Sequence, residues 1–100
     1  MTLGPTHRRG DEVLNTVLTG HQRIALRRRF PGLVIEVRSV SEVTFGLGAV
    51  RVSVSRQPFS SWAVSWPVLS EVGGYAPAGD SAIYELRAML VEIVGRALKD

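Results

Sequence analysis

The residues with the most chemistry to offer are four arginines, Arg23, Arg27, Arg28 and Arg29, gathered near position 27 of a 100-residue chain. Such a group can neutralise several phosphates, giving an affinity that depends strongly on salt and hardly on base sequence. Set in the last turn of a helix, the same charges complement the helix dipole and aid solubility. Both readings stand at this point. Arg8 and Arg9 would assist the first, because residues 1–30 carry six arginines against Asp11 and Glu12 while residues 61–100 carry a net negative charge.

Other equipment for chemistry is thin. The chain has no cysteine and only two histidines, His7 and His21, with no metal-ligand spacing around either. No metal site and no cofactor are expected. A GxSxG elbow is lacking, as is a readable nucleophile–base pair. Gly46-Leu47-Gly48 lacks the third glycine of a dinucleotide fingerprint and precedes a strand rather than a helix. An enzyme is therefore not expected. Three aromatic residues are candidates for a protein interface: Trp62 and Trp66, which share one strand face, and Tyr75, in a glycine-rich stretch. Packing of the two tryptophans into the core is the default alternative.

The elements that must carry these residues are marked by periodicity. After a basic tail over 1–10, Asp11 is placed to cap a helix in which Val13, Leu14, Val17, Leu18, His21, Ile24 and Ala25 recur on one face. His21 is thus expected to be partly buried and hydrogen-bonded. The helix runs through the arginines to Pro31-Gly32, with Gly20 as its weak point. Three alternating runs follow: Leu33, Ile35, Val37, then Val50, Val52, Val54, then Trp62, Val64, Trp66. Between the first two, Val43 to Gly48 reads as a hairpin turn or glycine bulge where apolar parity switches from odd to even. Gln57-Pro58-Phe59-Ser60 reads as the next connection, and Val68 to Gly79 as a loop. Asp80 caps a second helix whose stripe is Ile83, Leu86, Leu90, Ile93, Val94 and Ala97.

The expected fold is α+β: a single two-layer domain over 11–100, ordered α-β-β-β-α, with a three-stranded antiparallel meander and both helices on one face. This order resembles that of the double-stranded RNA-binding domain over nearly the whole chain. The resemblance is one of topology. The connection Ser39-Val40-Ser41-Glu42-Val43 holds no basic residue, and the last helix opens Asp80-Ser81-Ala82-Ile83-Tyr84-Glu85, acidic where a phosphate would dock. The open sheet face (Arg38, Arg51, Ser53, Ser55, Ser65) also offers no aromatic platform for base stacking.

With 45% hydrophobic residues and no long apolar run, the chain is expected to be soluble and cytoplasmic, without a membrane partner. Eleven of its twelve basic residues are arginine, a bias of GC-rich genomes that suits a bacterial or phage accessory factor. The expected function is that of a small non-catalytic binding protein acting through protein–protein contacts, with another protein or as a homodimer. Nucleic-acid binding through the arginine cluster is the alternative.

Overall fold

The computed structural model describes residues 12–57, 61–70, 74 and 81–95. Within them lie three helices and one antiparallel sheet, a mixed α+β architecture as expected. The helices are α1 over residues 12–17, α2 Gly20–Arg29 and α3 Ser81–Val94. The strands are β1 Val34–Ser39, β2 Glu42–Leu47, β3 Val50–Arg56, β4 Trp62–Val64 and β5 Val68–Leu69. The basic tail and the N-cap assigned to Asp11 and Asp80 lie outside the described residues, as do Pro58-Phe59-Ser60 and Tyr75.

The first correction concerns the first helix, which is two helices. After the Leu18 N–H donates to Leu14 O, Thr19 turns to extended backbone (φ −76°, ψ 165°). Its hydroxyl accepts from the Gln22 N–H at 3.1 Å, while Gln22 Oε1 accepts from the Thr19 N–H at 2.8 Å. This reciprocal capping box restarts the helix at Gly20, a poor residue for a helix interior. The restart resets the helical phase. Val13, Leu14, Val17 and Leu18 are buried, but the buried residues that follow are Leu26 and Phe30, and His21, Ile24 and Ala25 are exposed. His21 is therefore not the half-buried histidine expected from an unbroken stripe. Thr19→Ala should cost about 1 kcal/mol, seen as a lower unfolding midpoint with loss of helical circular dichroism.

The second correction concerns the sheet, which has five strands rather than three. The order is β1-β2-β3-β4, with β5 also pairing β3 beyond the end of β4. Val43–Gly48, read as a turn, supplies β2, the strand between β1 and β3. The turn is displaced to Gly48-Ala49, where Gly48 takes φ +59°, a conformation glycine adopts without the Cβ penalty. Val68, read as the start of a loop, opens β5, and Leu69 pairs with Val50.

Register puts the apolar faces together. Val37, Val43, Val54 and Val64 lie in one row across four strands, and Ile35, Phe45 and Val52 in the next. Ile83, Leu86 and Leu90 of α3 close over these rows, with α3 lying against β3 and β4. The buried residues of α1 and α2 join the same cluster, so helices cover one sheet face only. The opposite face carries Glu36, Arg51, Ser53 and Ser55, as an antiparallel sheet solvated on one side requires.

Candidate functional site

The best-defined unpartnered feature is the outer edge of β1. The direction of its backbone groups follows from the ladder. Arg56 N–H donates to Ser41 O and Ser65 N–H to Ser53 O, which fixes the alternation across the sheet. The odd residues of β2 face β3, so Thr44 and Gly46 face β1, where they meet Glu36 and Val34. The intervening residues of β1, Ile35 and Val37, must then direct their N–H and C=O groups away from the sheet. Among the described residues, nothing pairs with them.

Side chains along this edge match an unfinished surface. Ile35 and Val37 are only half-buried at the open end of the core. Val34 is 63% exposed and Val40, in the turn after β1, is 56% exposed; with Ile24 they are the large apolar residues left in water among the described residues. Between the valines, Arg38 donates to Glu36 at 2.7 Å on the solvent face. The Glu36 hydrogen bond and its charge, followed by that of Glu42, raise the Arg38 pKa above its ordinary value. A shallow depression of about 230 Å³ adjoins the edge, lined by Val34, Glu36, Thr44, Gly46, Gly48, Arg51 and Ser70.

The structure separates the four arginines into two pairs. Arg29 reaches across to α3 and pairs with Glu85, with its guanidinium 5.5 Å from the Phe30 ring centroid. Arg23 donates to Asn15 Oδ1 at 3.2 Å, bracing α2 against α1. Arg27 and Arg28 are exposed, and no ion pair engages them among the described residues. The cluster seen as one group in the sequence is thus half structural.

The two tryptophans have different settings. Trp62 is half-buried against the core at the end of β4, with Arg56 of β3 6.0 Å from its ring centroid. Trp66 lies past the strand, in the irregular 65–67 segment that Pro67, without an N–H, prevents from continuing the ladder. The Arg87 guanidinium stacks 3.7 Å from the Trp66 ring centroid, and its Nε donates to Ser65 O at 2.8 Å. This clamp ties α3 to the β4–β5 junction. Trp66 Nε1 is buried with no acceptor among the described residues. A buried unpaired donor costs about 1–3 kcal/mol, so Trp66→Phe should match or exceed the stability of the parent in urea titration. Trp66→Ala, which removes the stacking surface as well, should lose about 2 kcal/mol, less than a fully buried aromatic would.

Among the described residues, no group of three or more His, Cys, Asp or Glu side chains could hold a metal ion, and no helix is long and apolar enough to cross a membrane. Comparison with protein-family models, with curated proteins and with solved structures gives no match. Among the described residues the order runs α-α-β-β-β-β-β-α, not the α-β-β-β-α order on which the resemblance to the double-stranded RNA-binding domain rested. An antiparallel meander has two edges, and the strand order makes β1 one of them. Its signal was present in Val34 and Val40, apolar residues at positions where the alternation calls for polar ones.

Proposed function

We propose that this chain is a small non-catalytic binding protein that acts through protein–protein contacts at the β1 edge of its sheet. The observation that carries the reading is the row of outward backbone groups at Ile35 and Val37, flanked by exposed Val34. An unpaired strand edge is a template for adding an extended segment, with main-chain hydrogen bonds giving affinity and alternate side chains giving selectivity. Display of a library of extended peptides against dilute, immobilised protein tests this. Peptides should be retained when salt is raised, and Ile35→Pro should lose them, because it removes an N–H directed at the ligand while sparing the bonds to β2. No enrichment over a blank surface would sink the reading.

A second reading draws on Arg27 and Arg28, exposed and without an ion pair among the described residues. Nucleic-acid binding through them predicts anisotropy of labelled duplex DNA or RNA that collapses as salt rises. Arg27→Glu with Arg28→Glu should abolish it; both side chains stand in solvent, so the sheet should stay folded while α2 loses about 0.3–1 kcal/mol per reversed charge at its C-terminal end. Binding of peptides but not of duplexes would leave the protein-binding reading alone.

A further inference from the structure

We propose that the β1 edge is completed by a second copy of the chain, the two β1 strands pairing antiparallel about a two-fold axis at Val37. This rests on the edge-binding reading above and names its partner. Two identical strands related by a two-fold axis give an isologous contact, in which each pairing occurs twice. An axis falling between two residues would set the apolar face of one copy beside the polar face of the other, because side chains alternate with period 2. The axis therefore falls on a residue, and the outward backbone groups of Ile35 and Val37 leave these two as hydrogen-bonded centres.

Charge selects between them. An axis at Val37 places Glu36 opposite the partner's Arg38 and Arg38 opposite the partner's Glu36. Each copy already holds Glu36 and Arg38 together on the solvent face, so pairing gives an alternating four-charge row. An axis at Ile35 would set Glu36 opposite valine, and one at Glu36 would set carboxylate against carboxylate. The Glu36–Arg38 ion pair also shows that side-chain alternation continues to Arg38, although the register toward β2 shifts between Val37 and Ser39. Val34, 63% exposed, lies on the same edge beside the proposed contact. On the other face, Val37 meets the partner's Val37, and the half-buried end of each core abuts the other.

The test is the mass of the protein in solution, measured by sedimentation equilibrium across a wide concentration range. The expected result is a reversible dimer of the 10.9 kDa chain. Glu36→Arg sets like charges across the axis and should raise the dissociation constant by about tenfold or more. Adding Arg38→Glu to that variant exchanges the charges within each strand, restores the reciprocal pairs, and should recover the dimer. Ile35→Pro should give a monomer with unchanged circular dichroism. If that variant fails to fold, the charge pair of variants still decides. A monomer at every concentration would overturn self-pairing, as would a dimer indifferent to Glu36→Arg. If such a monomer retains extended peptides and loses them with Ile35→Pro, the edge-binding reading survives and the self-pairing does not. If it retains none, both fall.

Discussion

Phe45→Ala is expected to remove about 3–5 kcal/mol of stability, a large share of the roughly 5–15 kcal/mol that holds a domain of this kind together. Among the described residues Phe45 is the largest fully buried side chain, and it sits on β2 between Ile35 of β1 and Val52 of β3. No neighbour can collapse into the space without breaking the register on both sides, because each flanking residue is held by its own ladder. The cavity therefore stays, and its cost adds to the lost transfer free energy of the ring. Urea titration should show the midpoint falling by roughly 2 M, given a slope of about 1–3 kcal/mol/M for small proteins. Circular dichroism and tryptophan fluorescence should fall together, since α1, α2 and α3 all pack on the same cluster. A loss below about 1 kcal/mol would mean that β2 is not the strand around which the core is built.

That strand is also the element the sequence concealed most effectively. Alternation betrays a strand when one face is buried and the other wet, as in Val50, Val52 and Val54 of β3, whose intervening residues are polar. In β2 the row Val43, Thr44, Phe45 is buried without a break, because Thr44 packs beneath β1 on the open face and places its hydroxyl near Glu36 O. The glycines on either side of Leu47 then suggest a turn, although only Gly48 takes up a turn conformation. The stripe Ile83, Leu86 and Leu90 of α3 was legible for the opposite reason: its apolar face is continuous and its other side is polar.

The break between α1 and α2 carried a local signature, the Thr-x-x-Gln spacing of Thr19 and Gln22. A stronger rival signal hid it, since the apolar period in the sequence runs on through Ile24 and Ala25. The candidate surfaces divide in the same way. That the arginines cluster follows from their positions, whereas the engagement of Arg29 by Glu85, 56 residues away, depends on how α2 and α3 pack. Exposure of the β1 edge likewise depends on strand order, for which the local sequence carries only the misplaced valines.

Leu26→Ala should have the second-largest effect, about 2–5 kcal/mol, and a different signature. Within α2, Leu26 is the one buried residue; its other side chains are exposed or half-buried, and the helix is otherwise held by the Thr19 capping box, by the Arg23–Asn15 hydrogen bond, by Phe30 beyond its C-terminus and by the Arg29–Glu85 pair. Exposed or partly exposed ion pairs contribute about 0–1 kcal/mol, and the cap about 1 kcal/mol, so neither can replace the leucine. A helix of ten residues has no stability of its own in water. Its detachment is therefore cheaper than unfolding of the sheet once Leu26 is truncated. Amide exchange should show the protection of Ile24 to Arg29 falling first, while Phe45 and Val52 keep theirs until the whole domain opens. The same variant separates the two proposed surfaces. Peptide capture at β1 should persist where the sheet persists, whereas any duplex binding through Arg27 and Arg28 should weaken, because those arginines would no longer be held on an ordered helix. Uniform loss of protection across α2 and β2 would instead mean that α2 and the sheet form one cooperative unit, with Leu26 as much a part of the central core as Phe45.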